Sequence, residues 1–164
     1  MAANPCPCGQ YGARDAACTC SAQSRRRYLA RLSGPLVDRI DMQLRVARIA
    51  SAQFRLAESG EVTTVSTADA RERVLGARAR ARERLRATPW SLNAEVPGQF
   101  LRSGDRRLDA SRTGAIDRAL ELGTLTMRGY DRVLRLAWTL ADLDGADRPD
   151  RSHVSNALAL RRSL

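Results

Sequence analysis

Four cysteines lie within the first twenty residues, arranged as Cys6-x-Cys8 and Cys18-x-Cys20. Two tight pairs joined by a short loop can bring four thiolates around one tetrahedral Zn2+. Four sulfurs would close the coordination shell to water and substrate, so such a centre is structural rather than catalytic. The commoner zinc-finger pair is spaced C-x2-C, and reduced thiols without metal are the alternative reading. Other chemistry is scarce. His153 is the sole histidine and precedes the apolar Val154, where packing or surface exposure is expected. Glu58, Glu61 and Glu95 have no paired spacing suited to acid–base work. A hydrolase site made from these residues alone is therefore not expected.

Positive charge is the second resource. All 28 basic residues are arginine, and the net charge is +10. Arginine keeps its charge and presents a planar fork that matches phosphate and carboxylate. A balance this basic suits nucleic acid, a nucleotide or an acidic face on a neighbouring subunit. Arg71, Arg78, Arg82 and Arg86 form a stripe that reads as a solvated helix face. Arg128, Arg132 and Arg135 open a helix whose N-terminus itself attracts phosphate, and Gly129 is expected to leave the backbone there uncrowded.

The elements that must position these groups follow from periodicity. Apolar residues make up 43% of the chain but aromatics only 4%, so the core must be packed with aliphatic side chains. Residues 1–24, rich in Cys, Pro, Gly and Ala, read as a loop. Beyond Gly34-Pro35, the apolar Ile40, Met42, Leu44 and Val46 alternate with polar residues, which predicts one half-buried strand. A Thr/Ser-rich linker follows.

From residue 68 onward the pattern is helical. The first helix, 68–87, is capped by Ser66 or Thr67 and places Val74, Ala77, Ala81 and Leu85 on one face. A short helix is expected at 98–103. Another follows the Asp109 cap, with Ala115, Ile116, Ala119 and Leu120 as its stripe and Gly123 as its end. The best-patterned helix runs from Met127 to Leu143. It buries Tyr130, Val133, Leu134, Ala137, Leu140 and Ala141 and turns the Arg128, Arg132, Arg135 and Asp142 side outward. A last helix, 150–161, is capped by Asp150. No stretch reaches the roughly 18 apolar residues of a membrane span. The amino-terminal run has no basic-then-apolar signal pattern, so no membrane partner is expected and the cytoplasm is the expected compartment.

Several segments together resemble the ComM/YifB family of Mg-chelatase-like AAA+ proteins. They are Ala2-Ala3-Asn4-Pro5-Cys6-Pro7-Cys8-Gly9, Cys18-Thr19-Cys20 and the run from Arg27 to Asp41 that contains Gly34-Pro35-Leu36-Val37-Asp38-Arg39-Ile40-Asp41. Arg128-Gly129-Tyr130-Asp131-Arg132-Val133-Leu134-Arg135-Leu136-Ala137 and Leu140-Ala141-Asp142-Leu143 complete the set, in the family's order. The resemblance implies a mainly α fold: the end of an AAA+ α/β core, comprising a Cys-rich loop, a helix and one strand over 1–48, a linker over 49–67, and a helical lid over 68–164.

The resemblance also implies roles. Asn4 matches the sensor 1 position, which helps to orient the attacking water. Arg39 matches the arginine finger, which reaches into the next subunit's nucleotide site. Arg128 is the best match for sensor 2 on the lid, with Arg132 as the second choice. ATP and Mg2+ are the implied cofactors of the complete protein, neighbouring subunits in a ring (a hexamer) the implied partners, and DNA the implied substrate. With no lysine, the chain cannot contain the phosphate-cradling G-x4-G-K-[S/T] loop, and no hydrophobic strand ends in paired acids. A truncated reading frame, a split gene or a fragment is therefore expected, inactive towards ATP on its own. The alternative reading is a stand-alone zinc-knuckle protein that binds nucleic acid. Arg25-Arg26-Arg27 favours it, and the scarcity of aromatics argues against base stacking.

Overall fold

The computed structural model describes residues 2–12, 18–32, 34–46, 55–56, 59 and 65–161. Two compact units emerge: Met1–Ile40 with Arg45–Val62, and Asp41–Leu44 with Thr63–Leu164. Most of the predicted 49–67 linker lies outside the described residues.

In the first unit, helix α1 spans Ala22–Leu29 and α2 spans Gly34–Val37. Ser21 starts α1, its hydroxyl accepting the Ser24 N–H at 3.1 Å, and Arg26 and Arg27 face the negative end of the helix dipole. The strand predicted over Ile40–Val46 does not form: residues 41–46 have no regular structure, and no strand occurs among the described residues. The alternation is present in the sequence, but a strand exists only within a ladder. Here the segment's Gln43 N–H donates instead to the carbonyl of Leu160, at 2.8 Å. Val46 is accordingly 89% exposed.

The second unit is a helical bundle. Helix α3 covers Thr67–Leu85, α4 Gly98–Leu101, α5 Ala110–Glu121, α6 Met127–Asp144 and α7 Arg151–Arg161, with 3-10 turns at Asn93–Glu95 and Gly104–Arg106. The boundaries have local causes. Ser66 and Asp69 form a reciprocal capping box at the start of α3. Asp109 accepts the Arg112 N–H and begins α5. Thr126 accepts the Gly129 N–H and begins α6, and Asp150 accepts the His153 N–H at the head of α7. Gly123 and Gly145 sit past the ends of α5 and α6 at φ 66° and 73°, a left-handed turn that a side chain resists.

Helix α6 is the centre of the bundle and packs on α3, α4, α5 and α7. Val133, Leu134, Ala137 and Trp138 on α6 join Leu85, Ile116, Val154 and Ala157 in one core. Val74 and Ala115, predicted to face inward, are exposed. The larger correction is Asp142. Predicted to face outward, it is 1% exposed, because Arg84 of α3 reaches its carboxylate with both terminal nitrogens. Asn93 donates to the same carboxylate at 2.8 Å and accepts from Arg84 at 2.8 Å. The Arg84 guanidinium also lies 4.4 Å above the Trp138 ring, and Arg80 donates to the Asp142 carbonyl at 2.9 Å.

A buried charge that loses its partner is costly. Asp142→Ala should lower unfolding free energy by about 3 kcal/mol or more, measured by urea titration. The double replacement Arg84→Met with Asp142→Leu should recover much of that loss, because no unpaired charge remains.

Candidate functional site

The cysteine loop in the first unit is built around a tight turn in which the Gly9 N–H bonds the Cys6 carbonyl at 3.0 Å. The four sulfurs of Cys6, Cys8, Cys18 and Cys20 all lie within 4.8 Å of one another. Cys6 is fully buried, 3.3 Å from the Cys8 sulfur and 3.8 Å from that of Cys18, and Cys8 to Cys18 is 3.7 Å. Four Zn–S bonds of about 2.3 Å place tetrahedral sulfurs about 3.8 Å apart, so this donor set fits Zn2+. The Gln10 backbone N–H, followed by the Cys6 side chain, holds the Cys8 thiol down to about 6, which favours the thiolate a metal needs.

Arg25 of α1 fixes the second cysteine pair. It donates to the Cys20 carbonyl at 2.6 Å and stacks 4.3 Å from the Tyr11 ring centre. The triple-arginine run is thus partly structural. Asn4 is exposed beside this turn; a methyl group placed on Gly9 would be 3.8 Å from the Asn4 carboxamide.

Arg39 stands in the turn after α2. The Asp38 and Arg39 N–H groups close that turn onto Gly34 and Leu36. Its side chain is exposed, with one long contact of 3.4 Å from Nη1 to the Pro35 carbonyl.

The two arginines predicted to meet phosphate in the second unit sit one turn apart on α6 in different surroundings. Arg128, in the first turn, is exposed. Arg132 is only 16% exposed and lies 3.2 Å from the Asp41 carboxylate. Arg135 is committed to the Val96 carbonyl at 2.7 Å. Gly129 is the opposite of uncrowded. It is buried, and a Cβ there would lie 2.7 Å from Leu125 Cδ1 and 3.2 Å from Arg161 Nε. His153 packs as expected, buried between the carboxylates of Asp144 at 3.2 Å and Asp150 at 2.7 Å. A cavity of about 230 Å³ lined by Arg102, Thr113, Asp117 and Tyr130 holds no predicted site residue. Its polar groups largely satisfy one another, Tyr130 and Thr113 both donating to Asp117.

Residues 1–54 match the family model of magnesium chelatase subunit ChlI, and residues 64–161 match the model of that subunit's C-terminal region. The chain belongs to the magnesium chelatase subunit ChlI family. An uncharacterised Mycobacterium tuberculosis protein is 42% identical over 163 residues, covering 99% of this chain and 31% of the relative. Competence protein ComM of Haemophilus influenzae is 33% identical over 98% of this chain and 30% of its own length. YifB of Salmonella typhimurium is 32% identical over the same shares. The chain thus spans about a third of the length of the curated relatives it matches. Among the described residues no helix is long and apolar enough to cross a membrane.

The crowding at Gly129 can be tested directly. Gly129→Ala should cost about 1–3 kcal/mol through the contact with Leu125. An unchanged urea midpoint would mean that Leu125 yields without loss.

Proposed function

We propose that this chain is the carboxy-terminal part of a ComM/YifB-type AAA+ ATPase and supplies Asn4, Arg39 and Arg128 to nucleotide sites completed by other residues. The observation that carries the reading is the pair of exposed arginines. Among the described residues, neither Arg39 nor Arg128 is engaged in an ion pair, although other arginines such as Arg84, Arg102 and Arg132 are. Unpaired guanidiniums at two family-matched positions are available to an anionic ligand.

ATP hydrolysis spreads negative charge over the transferred phosphoryl oxygens, so catalysis rests on positioning and on fixed positive charge. In this reading Arg39 projects from its turn into the neighbouring subunit's site and stabilises that charge. Asn4 orients the attacking water, and Arg128 contacts the nucleotide phosphates from the lid. Arg132 is the weaker choice for that contact because Asp41 already engages it. The phosphate-cradling lysine and the Mg2+ ligands come from outside these residues, since the chain has no lysine. The assembled protein is a cytoplasmic ring, a hexamer, that uses ATP to remodel DNA. The name of the Haemophilus relative and the charge of +10 support DNA as the substrate. Zn2+ in the cysteine loop would hold the turn that carries Asn4 and take no part in hydrolysis.

Two measurements test this. A chimera in which this chain replaces the matched region of the Mycobacterium tuberculosis relative should hydrolyse ATP, whereas this chain alone should not. Arg39→Ala in the chimera should reduce kcat about a thousandfold or more. Full activity of that variant, or hydrolysis by the chain alone, would overturn the assignment. For the cysteines, one Co2+ per chain should bind with the intense absorption of a tetrahedral tetrathiolate, and Cys8→Ser with Cys18→Ser should abolish it. A weak octahedral spectrum would mean that the thiols hold no metal.

A further inference from the structure

The boundary between the two units falls immediately after Ile40, and the strip Asp41–Leu44 groups with the helical unit rather than with the residues before it. Two contacts account for this. Asp41 pairs with Arg132 of α6 at 3.2 Å. Two residues on, the Gln43 N–H bonds the Leu160 carbonyl in the last turn of α7 at 2.8 Å. That carbonyl belongs to the group a helix end leaves without an internal partner, so the strip serves as part of the cap of α7.

The Asp41–Arg132 pair is asymmetric. Arg132 is 16% exposed and Asp41 64%. Among the described residues, the buried Nε and Nη1 of Arg132 have no hydrogen-bond partner, so within that set the guanidinium has given up water without gaining hydrogen bonds at those atoms. Asp41 supplies the counter-charge, which a desolvated cation requires. An exposed pair of this length would contribute little; the burial of one partner makes this one matter.

We propose that Asp41 and Arg132 form a latch that ties the segment carrying Arg39 to the lid, making Asp41 a positioning residue for the arginine finger. Arg39 precedes Asp41 by two residues, at most about 7 Å of chain. Any displacement of α6 is therefore transmitted through at most that length of chain to the base of the finger. The positioning role rests on the reading of Arg39 given above; the latch itself does not.

Amide hydrogen exchange on the full chain tests the latch without nucleotide. The Gln43 amide is the reporter, and amides of Val133–Ala137 in α6 are the control. In Asp41→Asn and Arg132→Met, Gln43 should exchange about tenfold faster while the α6 amides stay unchanged, and Asp41→Glu should remain near wild type. Because Asp41 is exposed, Asp41→Asn leaves the fold intact even if Arg132→Met does not. Unchanged Gln43 exchange in Asp41→Asn overturns the latch.

In the chimera, Asp41→Asn should lower kcat about tenfold with KM for ATP unchanged, and Asp41→Glu should restore it. Normal kcat in Asp41→Asn overturns the positioning role. Normal activity in Arg39→Ala would sink the finger assignment and the positioning role with it, while the exchange result would still decide the latch.

Discussion

Burying the Asp142 carboxylate costs several kcal/mol unless cations and donors meet it, and three elements of the helical unit are arranged to do so. Arg84 comes from α3, Asn93 from the 3-10 turn, and Thr139 on α6 accepts from Asn93 at 3.1 Å and so holds it in place. Trp138 lies beneath the same guanidinium. Hydrophobic packing alone would allow α3 to slide along α6, since small residues such as Ala77 and Ala81 specify little. The bidentate pair fixes the register of the two helices. The direction in which the first turn of α6 presents Arg128 is set by that register.

What could be read from the sequence divides along the line between local and non-local causes. Helix ends were legible because their signals lie within a turn of where they act: Ser66, Asp109, Gly123 and Asp150 all mark the boundaries that form. The cysteine cluster was legible for a similar reason, since two C-x-C pairs on a short loop have few other ways to fold. The strand over Ile40–Val46 was not, because alternation identifies a segment able to pair and says nothing about whether a partner edge is present.

Asp142 was misplaced because a carboxylate is expected in water. The clue was its spacing, four residues past Trp138 and eight past Leu134, on the inward arc of α6. Gly129 misled in the opposite way. A glycine suggests open space, but here its missing side chain is the space that Leu125 and Arg161 occupy. Of the family-matched arginines, the resemblance ranked Arg128 above Arg132, and it could not foresee that their surroundings differ: the Arg128 guanidinium is exposed, while that of Arg132 is drawn against Asp41.

The placement of the rarer side chains has a further consequence. Both tryptophans, Trp90 and Trp138, belong to the helical unit, the first with its ring edge-on to Phe100 at 4.8 Å and the second under Arg84. All four cysteines belong to the other unit. Indole emission therefore reports on one unit and thiol or metal–thiolate absorption on the other, with no engineered label. The chain carries two separate optical channels, through which each half can be followed while its neighbour is perturbed.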